Sequence, residues 1–224
     1  MEHVATQAER RKQTRTRLLE AGTAVLLDQG AAGFSTVAVA ETAELSNGAV
    51  FNHFDTRLDL LAATVEFALA ELREGFARSF SVVGADATAT ELLTILWECM
   101  SRPEQTAVVE VFAQARTNPE LRDLLTPIVE DHHRHIKTLV SFLAEVQVEG
   151  AQARGGGEGG DPPVAAERGI TPDFVSRMSF LFIYAMVGLT INNEAGAAIG
   201  THETLIALGQ DLFDAVDERG RRSR

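Results

Sequence analysis

Apolar residues recur at steps of three and four along most of the chain, which is the spacing of one face of an α-helix. The first clear stripe predicts a helix over residues 14–29. Gly30 follows it, and glycine readily adopts the left-handed conformation at which many helices end. No segment alternates apolar and polar residues convincingly, as a half-buried strand does. The pattern therefore predicts an all-α fold.

Two short helices follow the first one. Ser35 or Thr36 can cap a second helix over residues 37–43, and Ser46 can cap a third, which reads NGAVFNHF. The third segment is a weak helix former, so it must dock on its neighbours to be stable. Two short helices joined by a three-residue break, behind a basic segment, indicate a helix-turn-helix. We expect Asn47 and Asn52 to point outward, and Leu45, Val50 and Phe54 to dock on Val37, Ala40, Leu19 and Leu61.

Longer helices fill the rest of the chain. Thr56 can cap a long fourth helix, and Pro103 and Pro172 stand at first-turn positions, where proline is tolerated. Residues 149–170 begin with the stretch EGAQARGGGEGGDPP, which predicts a flexible Gly-rich loop. The expected fold class is all-α with about nine helices, the later ones over 88–100, 103–117, from 118 onward, 171–193 and 202–218.

The charge is unevenly placed along the chain. The formal net charge of −12 argues against a nucleic-acid partner. However, the first 60 residues carry six Lys/Arg against eight Asp/Glu, so most of the excess acid follows them. Because salt screens charges beyond about 8–10 Å, a local basic segment can still meet phosphate, although such a run also fits a solvated helix face. The basic segment consists of Arg10, Arg11, Lys12, Arg15 and Arg17.

Composition narrows the class of protein. A single cysteine, Cys99, permits no internal disulfide, which favours a reducing cytoplasm. The longest apolar stretch, over 180–191, is shorter than the roughly 20 residues that span a bilayer, so no membrane partner is expected. The sequence also lacks a phosphate-binding Gly-rich loop, a nucleophile elbow and a zinc-protease motif. We therefore predict a cytoplasmic protein that is not an enzyme and has no cofactor.

The run from Arg15 to Leu61 resembles the DNA-binding domain of TetR-type (tetracycline-repressor-like) transcriptional regulators. The resemblance implies a helix-turn-helix domain with an N-terminal arm over 1–56, and a ligand-binding and dimerisation domain over 57–224. It also implies a homodimer whose recognition helices enter successive major grooves of a palindromic operator, about 34–36 Å apart. The shared frame comprises Gly30, Phe34, Ser35, Thr36, Val37, Ala40, Ala43, Ser46, Gly48, Phe51, His53, Phe54, Arg57, Leu60 and Leu61.

The same resemblance implies roles for individual side chains. Thr36, His53 and Arg57 stand at phosphate-contacting positions, while Asn47 is the best candidate for pairing with adenine N6 and N7. The expected DNA contacts are Thr36, Ser46, Asn47, Gly48, Ala49, Phe51, Asn52, His53 and Arg57, with Arg10, Arg11, Lys12 and Arg15 on flanking phosphate or in a minor groove.

Three positions depart from the family pattern. Phe51 stands where a tyrosine is usual, so a phenolic hydrogen bond to phosphate is absent. Arg57 stands where lysine is usual, and Glu44 where glycine is common in the turn. Glu41 and Glu44 should also weaken the attraction to DNA locally.

The C-terminal helices suggest a dimer. A helix that is apolar on nearly every side, as over 174–191, must be covered all round. Together with 202–218 it fits an intersubunit four-helix bundle, although it also fits the centre of a monomer core. The expected interface residues are Phe180, Ile183, Val187, Ile191, Leu205, Leu208, Gly209, Leu212, Phe213 and Val216.

An effector pocket is harder to place. His132 lies on an apolar stripe with His135 at its edge, so the pair can line a pocket or serve as hydrogen-bonded core residues. Metal binding with His133 is conceivable, but no carboxylate or cysteine spacing supports it, so no metal is predicted. Cys99 fits a buried packing residue or a redox sensor. The expected pocket residues, each of which also fits plain core, are Phe67, Trp97, Met100, Phe112, His132, His135, Phe182, Tyr184 and Met186.

The sequence therefore predicts a dimeric transcriptional regulator that binds duplex DNA. We expect a repressor that leaves its operator when an unidentified small-molecule effector binds. The alternatives are a regulator without an effector, and a metal- or redox-responsive one.

Overall fold

A computed structural model describes residues 6–81 and 89–155, with Gly188 and Ala207 as isolated positions. This part of the chain contains seven helices and no strand, which confirms the all-α prediction. The helices predicted over 171–193 and 202–218 lie outside it. The seven helices are α1 (Gln7–Gly33), α2 (Thr36–Thr42), α3 (Asn47–Phe51), α4 (Arg57–Ser81), α5 (Ala89–Met100), α6 (Pro103–Ala115) and α7 (Pro119–Gly155).

Helix α1 begins seven residues earlier than its apolar stripe predicts. The Thr6 hydroxyl accepts a hydrogen bond from the Glu9 N–H at 3.3 Å, and the Glu9 carboxylate accepts one from the Thr6 N–H at 2.5 Å. These reciprocal bonds form a capping box, which satisfies two backbone donors at the helix start. The basic segment therefore lies on α1 itself, ahead of the apolar stripe that predicted the helix.

The predicted end of α1 at Gly30 appears as a kink. Gly30 has φ 67° and ψ 177°, a backbone conformation that an L side chain rarely adopts. The helix resumes for one short turn to Gly33, and extended backbone at Phe34 then ends it.

The start signals predicted for the next three helices are confirmed. The Ser35 and Ser46 hydroxyls each accept a hydrogen bond from the backbone N–H three residues on, at 3.1 and 3.2 Å. The Thr56 hydroxyl accepts from the Asp59 N–H at 3.1 Å, and the Asp59 carboxylate accepts from the Thr56 N–H at 2.9 Å. Each short connection is thus fixed by local chemistry.

Helices α5 and α6 lie close to their predicted ranges, whereas α7 is longer than expected. The Asn118 amide oxygen accepts from the Leu121 N–H at 3.1 Å and caps the start of α7. The helix then continues to Gly155, so the loop prediction is wrong for residues 149–155. Alanine, glutamine and arginine in 151–154 are good helix formers, which explains the extension.

The chain divides into two compact units. One contains the described residues of Met1–Leu72 together with Pro103–His132, and the other those of Arg73–Arg102 and His133–Arg224. The predicted division after residue 56 stays a prediction. In the first unit a single apolar cluster contains side chains from α1, α2, α3, α4, α6 and α7. Its largest fully buried side chains are Leu18, Phe34, Leu60, Leu61, Leu69 and Leu121.

The docking prediction for the third helix holds except at Val37. Val50 and Leu61 are fully buried within the cluster. Val37 is 50% exposed, because Val39 and Ala40 fill the inward side of α2 instead. Val39 and Ala40, and not Val37, therefore pack α2 into the core.

A close approach between α1 and α4 fixes the base of the helix-turn-helix. A Cβ atom on Gly22 would lie 2.5 Å from the Thr64 Oγ1 and 3.0 Å from its Cγ2. Thr64 is fully buried, and its hydroxyl donates to the Leu60 carbonyl at 2.8 Å. Glycine is therefore required for the two helices to pack at this distance.

Replacing Gly22 with alanine should lower the free energy of unfolding by about 1–3 kcal/mol, because the added methyl overpacks the contact with Thr64. Equilibrium denaturation in urea measures the change. Adding Thr64→Ala should recover part of it, so the double variant should lose less stability than the two single changes combined.

Gly48→Ala is the matched control, since a Cβ there meets only the Ser46 Oγ, at 3.8 Å. This change should leave stability unchanged or raise it by up to about 1 kcal/mol. A Gly22→Ala protein as stable as the parent would contradict the packing described above.

Candidate nucleic-acid interface

Helix α3 presents a polar face to solvent. Asn47, Gly48 and Asn52 are exposed, whereas Val50 is fully buried. Asn47 and Phe51 are four residues apart and so share one face of the helix, where Phe51 is 50% exposed. The predicted reading residues are therefore available to a large partner.

Other residues of the helix-turn-helix that are predicted to contact DNA are less accessible to a partner. Ser46 is exposed, but its hydroxyl caps α3 by accepting from the Ala49 N–H. Ala49 and Thr36 are half-buried. Their contacts with DNA stay predictions.

Basic side chains of α1 reach the end of α3. The Arg11 Nη2 donates to the Asn52 carbonyl at 3.3 Å. The Arg15 guanidinium lies 5.3 Å from the centroid of the Phe54 ring, a cation–π distance. The structure thus brings Arg11 and Arg15 of the basic segment to the end of α3.

The turn between α2 and α3 contains a strained residue. Glu44 has φ 52°, the left-handed region that favours glycine. Its carboxylate pairs with the Arg17 Nη2 at 3.1 Å, an exposed ion pair that contributes little stability but neutralises one acidic charge. The side chains of Arg10 and Lys12 make no hydrogen bond or ion pair with any described residue.

His53 lies just after α3, partly buried, beside two cations. Burial lowers the pKa of the His53 imidazole, and the nearby Arg11 and Arg15 charges lower it further. At neutral pH the ring is therefore mostly uncharged. It can donate a hydrogen bond to phosphate but adds little positive charge.

Arg57 has a structural role that the sequence did not reveal. Its Nε donates to the Phe34 carbonyl at 2.7 Å, and its Nη2 donates to the Ala31 carbonyl at 3.3 Å. The guanidinium also lies 6.0 Å from the centroid of the Phe34 ring. Arg57 therefore joins the start of α4 to the end of α1, while its predicted phosphate contact stays a prediction.

The end of α1 also meets α6 through a side chain that sequence reasoning missed. The Glu110 carboxylate accepts a hydrogen bond from the Ala31 N–H at 3.1 Å. The Ala31 N–H thus donates to the Glu110 carboxylate, and the Ala31 carbonyl accepts from the Arg57 guanidinium. No sequence signal marks such a contact, because its partner is backbone 79 residues away.

The predicted pocket residues are only partly described. Phe67 and Phe112 are partly buried against the core of the first unit. Trp97 and His132 are half-buried, whereas His135 is exposed. The side chains of Met100, Phe182, Tyr184 and Met186 lie outside the described part, as do all predicted interface residues from Phe180 to Val216.

The described residues bear on the alternatives of a metal-responsive and a redox-responsive regulator. They contain no group of three or more His, Cys, Asp or Glu placed to hold a metal ion. Burial raises the pKa of the Cys99 thiol, although a Ser79 hydrogen bond and the Arg102 charge partly oppose it. A thiol held in its protonated form is a poor target for oxidation.

None of the helices in the described part of the chain combines the length and the apolar composition that a membrane-spanning helix needs.

Comparisons with known proteins point to one family. Residues 18–64 match the family described as bacterial regulatory proteins, tetR family. An uncharacterized HTH-type transcriptional regulator from Mycobacterium bovis is 31% identical over 132 residues, which is 58% of this chain and 68% of that protein.

Solved structures share the fold over nearly the whole length. A proposed transcriptional regulator from Pseudomonas aeruginosa PAO1 superposes with a TM-score of 0.63 at 15% identity, covering 98% of this chain and 100% of its own. The multidrug binding protein EbrR, complexed with imidazole, gives a TM-score of 0.58 at 20% identity, covering 95% and 97%.

Replacing Arg57 with lysine should separate its structural role from its charge. Lysine keeps the positive charge but cannot reproduce the two-pronged contact with the Phe34 and Ala31 carbonyls. We expect the free energy of unfolding to fall by about 1–3 kcal/mol, measured by urea denaturation. The salt dependence of duplex binding should stay as in the parent.

Arg78→Lys is the control, because Arg78 is exposed and its side chain pairs only with Glu74, at 3.3 Å, among the described residues. That change should alter stability by no more than about 0.5 kcal/mol. Equal stability of the Arg57→Lys and Arg78→Lys proteins would show that the carbonyl contacts contribute nothing.

Proposed function

This chain belongs to the tetR family of bacterial regulatory proteins and is a DNA-binding transcriptional regulator; from that premise we propose that it is a repressor. In this proposal a homodimer binds a palindromic duplex operator through α3 and leaves it when a small molecule binds. Its place of action is the cytoplasm, where a bacterial regulator meets its DNA.

One observation carries the proposed mode of DNA binding. The exposed polar face of α3 lies beside cationic side chains of α1, joined by the hydrogen bond from Arg11 to the Asn52 carbonyl. An α-helix fits the major groove of B-DNA, and adjacent cations match its phosphates. Polar reading groups and phosphate-binding cations thus belong to one continuous surface.

Within this surface the side chains divide into two roles. Asn47, exposed at the start of α3, can pair bidentately with adenine and so carry sequence preference. Arg10 and Lys12, whose charges have no partner in the described structure, are available to phosphate and so carry affinity without preference.

A homodimer supplies the second recognition helix. Symmetric dimers present two such helices to half-sites about 34–36 Å apart, which is why operators of this class are palindromes. The apolar C-terminal segments over 174–191 and 202–218 support this assembly through their composition.

A small-molecule effector is the remaining part of the proposal. EbrR, which shares the fold, is described as a multidrug binding protein and was crystallised with imidazole. An effector that binds better to dimers with misplaced recognition helices would lower operator affinity by the same coupling free energy. Release of operator DNA in a gel-shift panel of metabolites tests this part, and release by none favours a regulator without an effector.

Replacing Asn47 with alanine should relax base preference. An operator selected from random duplexes by the parent protein should be bound about 1–3 kcal/mol more weakly, because alanine cannot pair bidentately with a base. Affinity for unrelated duplexes should stay unchanged. Fluorescence anisotropy titrations with both duplexes measure the two effects.

Arg10→Gln and Lys12→Gln should lower affinity without changing base preference. Each should weaken binding to all duplexes and reduce the slope of log affinity against log salt by about 0.9 for each phosphate that the variant no longer neutralises. Arg122→Gln, which removes an exposed arginine of α7, is the control and should leave the slope unchanged. Failure of the parent to select any operator would refute the proposed function itself.

A further inference from the structure

Large apolar side chains are rarely exposed in the described part of the chain. Three such side chains are exposed there, Leu27 with 43% of its surface accessible and Val37 and Phe51 with 50% each. Phe51 alone of these lies on the recognition helix. A half-exposed phenyl ring leaves apolar surface that a partner can bury favourably.

The neighbours of Phe51 on α3 leave its ring open to a partner. Asn47 shares its helix face, and Gly48, three residues before it, carries no side chain. A Cβ atom on Gly48 would meet only the Ser46 Oγ, at 3.8 Å. The face formed by Asn47, Gly48 and Phe51, here called the α3 reading face, is thus a shallow surface with one amide and one ring.

The charges beside this face indicate which partner covers it. Arg11 contacts the backbone of Asn52, the residue directly after Phe51, and Arg15 lies over the next aromatic ring, that of Phe54. Cations at this edge match the phosphates of a duplex, which places base edges against the helix face. A phenyl ring has no hydrogen-bonding group for phosphate or for polar base atoms.

In the major groove one base edge is apolar. Thymine carries a C5-methyl group there, and phenylalanine is among the side chains that contact it. Four residues of helix rise about 6 Å, and successive base pairs are about 3.4 Å apart. A recognition helix that lies along the groove would therefore place Phe51 within about two base pairs of the one that Asn47 contacts.

We propose that Phe51 is a specificity-determining residue that reads thymine through its C5-methyl group, close to the base pair read by Asn47. The inference rests on the proposed function, because it assigns a chemistry to one side chain of the same surface. It predicts A·T pairs at the two positions of each half-site that Asn47 and Phe51 contact.

The experiment replaces single thymines by deoxyuridine in the operator selected by the parent protein. This change removes one methyl group and leaves every hydrogen-bonding atom in place. The parent should lose about fourfold in affinity at one or two thymines of each half-site, the equivalent of exposing one methyl group. The Phe51→Ala protein should bind the thymine operator more weakly and show no further loss with uracil at those positions.

Two control variants sharpen the result. Leu27→Ala removes an exposed apolar side chain of α1 and should respond to uracil as the parent does. Phe51→Tyr keeps the ring and should keep the thymine preference. Circular dichroism and thermal unfolding confirm that each variant is folded before titration.

The outcomes separate the inference from the function on which it rests. A parent protein that selects an operator but ignores uracil at every thymine would overturn the role of Phe51 and leave DNA binding intact. Equal uracil sensitivity of the parent and the Phe51→Ala protein would also overturn it. Absence of any selected operator would instead remove the proposed function.

Discussion

The geometry of the proposed DNA-binding surface depends on the burial of Val50. Helix α3 has only five residues, far fewer than a helix needs to be stable by itself in water. Full burial of Val50 contributes about 1.5–3 kcal/mol and fixes which way the other side chains of α3 point. Asn47 and Phe51 face outward because Val50 faces inward. The packing of the core in the first unit therefore determines which side chains form the α3 reading face.

The cations of α1 serve two purposes that sequence composition does not distinguish. Arg11 contacts the end of α3 and Arg15 lies over the Phe54 ring, so both hold the helix-turn-helix together as well as charging its surface. Arg17 instead neutralises Glu44 in the turn. Arg10 and Lys12 make no such contacts with the described residues. This division explains how an acidic chain can bind a polyanion. Five of its 20 Lys/Arg residues lie in the first half of α1, which contacts the end of α3 through Arg11. Salt screens charges beyond about 8–10 Å, so acidic residues farther away act only weakly on a phosphate at this surface.

Sequence reasoning succeeds where the signal is local. Ser35 and Ser46 are recognisable as caps because their hydroxyls bond to backbone three residues away. The Thr6 capping box is equally local, but it escapes prediction because residues 7–13 carry no apolar stripe. The family resemblance implies only a phosphate contact for Arg57. Its carbonyl partners lie 23 and 26 residues away, and a sequence pattern does not show bonds to distant backbone. The exposure of Val37 follows from competition between neighbouring valines, which periodicity cannot rank over seven residues.

Amide hydrogen exchange of the parent protein, free and bound to its selected operator, tests most directly whether α3 is held ready for DNA by packing. The N–H groups of Ala49, His53 and Phe54 donate hydrogen bonds within this segment. We expect them to be protected in the free protein, because they open only when the docked segment opens, and DNA should slow exchange further in α3 and in the first half of α1. Exchange of these amides at the rate of an unstructured peptide in the free protein, or an operator complex that leaves α3 unaffected, would contradict this account.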